Sequence, residues 1–128
     1  MTGSGAELVA AAQRYHRDPT GLPAVVAAFR RTSVALQRAA EPGVVLLRST
    51  PWGPWLCVWT SLDRLWQALG RCHYAITTGD DIATTMIPLL PTATGVIVDS
   101  GSRHMVPLPR SILLSSSPPH PATPGARP

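Results

Sequence analysis

Hydrophobic and polar positions change their spacing several times along this chain, and each change predicts the end of one element and the start of another. Leu8 and Ala12 recur at helical spacing and predict a helix over residues 5–17. A second apolar stripe, between residues 22 and 31, predicts another helix. The chain therefore begins with a helical region over residues 5–31.

Beyond residue 32 the apolar residues alternate with a period of two in short stretches that glycine and proline separate. This alternation is typical of β-strands, whose successive side chains point to opposite faces of a sheet. Two helical stripes interrupt the strands, at residues 62–69 and 80–87. The predicted strands are residues 33–38, 44–49, 55–60, 72–77, 96–98 and 105–108.

The clearest feature of the pattern is a strand that leads directly into a helix between residues 54 and 70, with three of the four tryptophans. Its spacing changes from two to about 3.6 residues within one position. Leu62, Leu65 and Leu69 then form an apolar stripe, and Gly70 stands where the end of a helix favours glycine. The segment predicts a buried strand whose following helix packs back onto the sheet.

The element order α-α-β-β-β-α-β-α-β-β predicts an α/β (α+β) fold, with a mixed sheet of five to six strands packed with helices in two layers. We expect one domain over residues 1–114, with the sheet region in 33–114. Residues 115–128 are rich in serine and proline, and we expect them to be a disordered tail. The tail offers PxxP spacing for an SH3-type groove, although a solvated tail is the simpler interpretation.

Composition and charge narrow the possible partners. The chain has 128 residues, 45% of them hydrophobic and 14% charged, with 11 basic residues that are all arginine and a net charge of +4. Such a mild charge, without a run of three basic residues, does not favour binding of nucleic acid. A nucleic-acid interface would have to use Arg30, Arg31 and Arg38.

Cellular location and cofactors follow from what the sequence lacks. It has neither a signal-peptide pattern nor an apolar run of membrane-spanning length, so we expect a cytoplasmic protein. In a reduced compartment Cys57 and Cys72 are interpreted as packing residues. Cys72 and His73 are adjacent, so on a strand they point to opposite faces and do not share a metal. We expect no metal and no cofactor.

Catalytic motifs are also missing from the sequence. It contains no phosphate-binding loop, dinucleotide fingerprint, zinc-protease motif or nucleophile elbow. Asp80 and Asp81 stand at a predicted helix start, where the helix dipole favours acidic residues. Asp99 and His104 lie across a turn and could form an acid–histidine pair, although a turn aspartate that bonds its own backbone is the simpler interpretation. We expect a protein that is not an enzyme.

Three segments resemble those of the SseB-like N-terminal domain family. Residues 55–61 resemble its WLCxFT-type strand before a helix, residues 95–101 its GxxxDxG-type turn, and residues 106–109 its last strand of apolar residues and prolines. The similarity covers residues 22–114, and Trp59 stands where the family usually has phenylalanine. The resemblance implies an α/β domain of the kind found in small actinobacterial proteins, often described as secretion-associated, without an agreed catalytic site.

The tryptophans Trp52, Trp55 and Trp59 are the candidate contact residues for a partner. Trp55 and Trp59 share one face of the predicted strand. That face is either covered by helices and part of the core, or it joins Trp52 in an exposed aromatic patch. Trp52 is the first choice, because burial is hardest between Pro51 and Gly53.

These observations lead to two functional hypotheses from different classes. The missing catalytic motifs, the aromatic loop and the proline-rich tail favour a non-enzymatic protein-interaction or adaptor domain, secretion-associated if the resemblance extends to function. The alternative is a small-molecule-binding domain or cryptic enzyme that uses the Asp99–His104 turn together with Arg103.

Overall fold

The computed structural model describes residues 5–116, whose short stretches of alternating hydrophobicity form six strands of one sheet. The tail predicted for residues 115–128 lies outside these residues except for Ser115 and Ser116. In chain order the elements are α1 (Gly5–Arg17), a 3-10 turn (Pro19–Gly21), α2 (Leu22–Arg31), β1 (Ser33–Gln37), β2 (Arg48–Thr50), β3 (Gly53–Trp59), α3 (Leu62–Leu69), β4 (Tyr74–Thr78), α4 (Gly79–Asp81) with its π and 3-10 continuations (Ile82–Met86 and Ile87–Leu89), β5 (Gly95–Val98), β6 (Val106–Pro109) and α5 (Arg110–Ser115).

The sheet is mixed, as the sequence predicts, and β3 is its central strand. The strand order is β4-β1-β3-β5-β6, and β2 pairs with β3 outside this path. β3 and β5 are parallel, whereas the other pairings are antiparallel. Val58 of β3 pairs with Leu36 of β1 on one side and with Val98 of β5 on the other. The fold is therefore α+β, and β3 receives partners along its whole length.

One face of the sheet carries the main hydrophobic core. Leu36, Leu56 and Val98 are fully buried on this face and pack with Leu8 of α1 and Phe29 of α2. The segment that follows β4 and the C-terminal helix α5 complete the cover. The N-terminal helices thus bury their apolar stripes against alternate residues of the central strands.

The centre of the opposite face is covered by α3, which corrects the expected two-layer arrangement. Trp59, Cys57 and Ala35 point to this second face and form a smaller core with Leu65 of α3. Successive residues of β1 and β3 are apolar on both sides, so both faces have to be covered by helices. The domain consequently has three layers, with most helices on one side and α3 alone on the other.

The structure confirms the predicted strand that leads into a helix, and both ends of the helix α3 are capped. The Arg64 N–H donates to the Ser61 hydroxyl oxygen over 3.2 Å, which makes Ser61 the N-cap. At the other end the Gly70 N–H donates to the Trp66 carbonyl over 2.8 Å, and Gly70 has a φ of +76°. The turn from β3 into α3 is short, and it brings the helix N-terminus beside the carboxyl end of the strand.

Most element boundaries lie within about two residues of the prediction, and two segments differ more. The strand expected at 44–49 is regular only over Arg48–Thr50, because residues 44–46 instead continue a hairpin with the end of β1 through Val45 and Arg38. The segment after β6 is the helix α5, which begins directly after Pro109, whose fixed φ suits a helix start. Neither difference changes the sheet order.

Candidate functional site

Trp52 stands at the tip of the β2–β3 hairpin with 80% of its surface exposed. The tip is held by its own hydrogen bonds. The Trp52 N–H donates to Thr50 Oγ1 over 3.1 Å, and Thr50 Oγ1 donates to the Gly53 carbonyl over 2.8 Å. Gly53 adopts a φ of +110°, a backbone conformation that side chains other than hydrogen rarely allow. The exposed indole is thus carried by an ordered turn.

Thr94 supports the same tip from the side. Its N–H donates to the Pro54 carbonyl over 2.7 Å, and its hydroxyl lies 3.5 Å from the Trp52 carbonyl. The chain that leads into β5 therefore lies against the hairpin. This second attachment fixes the direction in which the tip projects from the sheet.

The structure places Trp55 and Trp59 in a different environment from Trp52. Trp59 is 2% exposed and belongs to the core under α3, and Trp55 is 9% exposed. Of the two alternatives for this face, a covered core and an exposed aromatic patch, the structure agrees with the covered core for both side chains. Of the three tryptophans expected to contact a partner, only Trp52 has a surface that a partner can reach in this conformation.

Asp99 and His104, which the sequence singled out, meet in a buried contact. His104 Nε2 lies 2.6 Å from Asp99 Oδ2, and Asp99 is 1% exposed with a φ of +50°. Asp99 Oδ1 accepts the Thr60 N–H over 2.8 Å, and Oδ2 accepts the Thr60 hydroxyl over 2.8 Å. The Asp99 carbonyl in turn accepts the Ser102 N–H and hydroxyl. The carboxylate joins the carboxyl end of β3 to the turn between β5 and β6.

The acid–histidine pair is held by hydrogen bonds within the protein. Both Asp99 oxygens already have donors, and His104 is buried with it. A general base needs a proton donor of the substrate within about 3.2 Å, and the Asp99 side chain is only 1% exposed in this conformation. Arg103 of the same turn is exposed and is not among the donors to Asp99 in residues 5–116. In this conformation the pair connects the end of β3 to the turn between β5 and β6.

The three arginines considered for nucleic acid are engaged in separate contacts. Arg30 is 4% exposed and forms a salt bridge with Asp80 at 2.9 Å. Arg31 forms one with Glu7 at 2.7 Å. Arg38 donates to the backbone carbonyls of residues 39, 40 and 74. Each of the three is thus held by different acceptors.

The thiols and the acidic pair likewise have structural environments. Cys57 is buried, Cys72 is half-buried, and both are free thiols. Between residues 5 and 116 no three His, Cys, Asp or Glu side chains come together as metal ligands do. Asp80 bonds Arg30, and Asp81 accepts the Thr77 hydroxyl over 3.0 Å. The acidic pair thus lies at a helix start as predicted, and one of its members also holds a buried arginine.

Two adjoining cavities beside α3 were missed by the sequence analysis. One has a volume of about 280 Å³ and lies between the 46–48 segment, β3 and Leu69; the other has about 470 Å³ and lies between α3 and residues 99–102. Arg48 and Trp59 line both cavities, and Arg64 lines the larger one. These residues come from three different elements, so no local motif could have grouped them.

The family comparison agrees with this fold. The chain matches the model of the SseB protein N-terminal domain over residues 6–113, and it therefore belongs to this family. The match begins within α1 and so extends the resemblance, which covered residues 22–114, to this helix. It confirms the resemblance in the sequence at the level of the domain family.

Neither the curated proteins nor the solved structures contain a significant match to this chain. Among residues 5–116 there is also no helix with the length and apolar character needed to cross a membrane.

Proposed function

We propose that this domain is a non-enzymatic protein-interaction module whose principal contact residue is Trp52. The proposal rests on the 80% exposure of this indole at a hairpin tip that is held by hydrogen bonds. An exposed tryptophan on a rigid turn loses little side-chain entropy on binding, and tryptophan is enriched among the residues that dominate interface energies. The partner is a protein with an apolar pocket that can take one indole ring.

The candidate catalytic groups form hydrogen bonds or pack within the protein, and this supports the same proposal. The Asp99 carboxylate bonds Thr60 and His104, and the two thiols pack in or beside the core. The described residues thus offer a prominent aromatic contact and no activated nucleophile. A secretion or export apparatus is the first place to seek the partner, because the family resemblance points there.

The experiment compares the wild-type chain with Trp52→Ala and with a matched control, Leu89→Ala. Leu89 is 75% exposed and apolar, and it lies at the end of the 3-10 segment Ile87–Leu89 and not in the hairpin. Partners are captured from the native host, identified, purified and bound again to each variant. We expect Trp52→Ala to lower the affinity for the purified partner by at least about tenfold. Leu89→Ala should leave this affinity unchanged. Capture of the same partners with equal affinity by Trp52→Ala would contradict the proposed role.

A further inference from the structure

The two cavities that meet at Trp59 form one cleft with an apolar part and a polar part, defined here as the α3 cleft. Its smaller part is lined by Leu46, Leu47, Cys57 and Leu69. Its larger part is lined by Arg64, Gln67 and the turn from Asp99 to Ser102. Arg48 and Trp59 stand at the junction, because they line both parts.

Trp59 contributes a donor without an acceptor. Its indole Nε1–H is buried and, like that of Trp66, has no hydrogen-bond partner among residues 5–116. A buried N–H that bonds nothing costs about 1–3 kcal/mol, so native proteins seldom leave one without an acceptor. The Trp59 side chain lies in the wall shared by both parts of the cleft, and a ligand that reaches Nε1 there would supply the missing acceptor.

The charges around the cleft favour an anionic acceptor. Arg48 and Arg64 have exposed side chains, and neither forms a salt bridge within residues 5–116. The acidic residue in the lining is Asp99, whose two oxygens already accept from Thr60 and His104. The cleft therefore presents two guanidinium groups and one indole N–H without a competing free carboxylate. Guanidinium groups bind carboxylates and phosphates with two parallel hydrogen bonds.

The position of the cleft in the fold suits a ligand site. β3 and β5 are parallel, and the larger part of the cleft lies at their carboxyl ends, beside Trp59 and Asp99. Ligands of open sheets with parallel strands bind outside these carboxyl ends. The neighbouring apolar part is larger than the roughly 150 Å³ that accepts a benzene molecule. It has room for one aromatic ring or a medium-length acyl chain.

We propose that the α3 cleft binds a small organic anion, whose charged head lies between Arg48, Arg64 and the Trp59 indole N–H and whose apolar body enters the part lined by Leu46 and Leu69. This site goes beyond the proposed function, since it lies beside α3 and not at the hairpin tip with Trp52. It also differs from the Asp99–His104 pair, which supports one wall of the cleft without offering a free group. The chemical class is a carboxylate or phosphate ester with an aryl or acyl group.

Nuclear magnetic resonance of the ¹⁵N-labelled full chain tests the proposal. Each tryptophan gives one indole N–H signal, and the signal that disappears in Trp59→Phe identifies Trp59. Octanoate and phenyl phosphate are titrated as anionic probes, with octanol as the uncharged control. We expect at least one anionic probe to shift the Trp59 indole proton downfield with a saturating curve, because the N–H gains an acceptor, and octanol to leave that proton in place.

Charge variants then test the binding groups. Arg48→Gln and Arg64→Gln should each lower the affinity for the anionic probe about tenfold, as expected for the loss of a charge-assisted hydrogen bond. Arg17→Gln, an exposed arginine at the end of α1, is the matched control and should leave the affinity unchanged. Urea unfolding of each variant confirms that the fold is retained. The proposal is overturned if neither anion shifts the Trp59 signal, if octanol shifts it equally, or if Arg17→Gln weakens binding as much as Arg48→Gln.

Discussion

The environment of Cys57 shows how one residue on a central strand is affected by two opposing influences. Burial raises the pKa of the Cys57 thiol above its ordinary value of 9.0, because removal from water disfavours the thiolate. The positive charge of Arg48 lowers the same pKa, but it does not outweigh burial. The raised pKa means that the folded protein holds this proton more tightly than the unfolded chain does.

This difference predicts how stability depends on pH. The contribution of Cys57 is fully present below the thiol pKa of the unfolded chain, near 9.0, and is lost as the pH rises through the higher pKa of the folded state. The free energy of unfolding should therefore fall faster with pH above 9.0 in the wild type than in Cys57→Ala. Cys72→Ala removes the other free thiol and is the matched control. Urea unfolding curves measured at a series of pH values above 9.0 check this prediction. If the free energy of unfolding fell equally with pH in the wild type and in Cys57→Ala, the prediction would be refuted.

At the same scale, the sequence identified residue types better than their environments. Trp52 was expected to resist burial because proline and glycine flank it, and the structure exposes it. The alternation of β3 placed Trp55 and Trp59 on one face, but it did not show that this face is buried, because α3 returns to it only in three dimensions. The contact of Asp99 with Thr60 was also missed, since 39 residues separate the two in the chain.

At the scale of elements, Arg30 connects α2 to two later parts of the chain. Its guanidinium group is almost fully buried and bonds Asp80, the Thr84 hydroxyl at 3.0 Å and the Ser116 hydroxyl at 2.6 Å. A buried arginine needs such partners, because an unpaired charge away from water is strongly unfavourable. One side chain thus joins α2 to the segment after β4 and to the end of α5.

Removal of the Asp80 carboxylate should therefore destabilise the protein more than removal of its neighbour. Asp80→Ala leaves Arg30 buried without its anion, and we expect a loss of about 2 kcal/mol, less than for a fully buried pair because Asp80 itself is partly exposed. Asp81→Ala is the matched control, since Asp81 is exposed and stands in the same first helical turn. Asp81→Ala should lower the free energy of unfolding by about 0.5 kcal/mol. Chemical denaturation measures both values, and equal losses would show that Arg30 does not depend on Asp80.

At the scale of the whole molecule, local patterns predicted the elements, and long-range pairing decided their arrangement. The period of two marked six strands, and six strands form the sheet. The order β4-β1-β3-β5-β6 and the parallel pairing of β3 with β5 depend on contacts between distant segments, which a single sequence does not encode in any local pattern. The α3 cleft was missed for the same reason, because its residues come together only once this order is formed.

The sheet order also predicts how stability is distributed over the molecule. β3 pairs with β1, β2 and β5 and is buried from Trp55 to Trp59, whereas β2 is short and its residues are exposed or half-exposed. Strands in the centre of a core open only with global unfolding, while short outer strands open locally. The amides of Val58 and Val98 should therefore exchange hydrogen most slowly, and those of Ser49 and Thr50 orders of magnitude faster. Native-state hydrogen exchange measures this difference, and similar protection of β2 and β3 would show that the hairpin is part of the global folding unit.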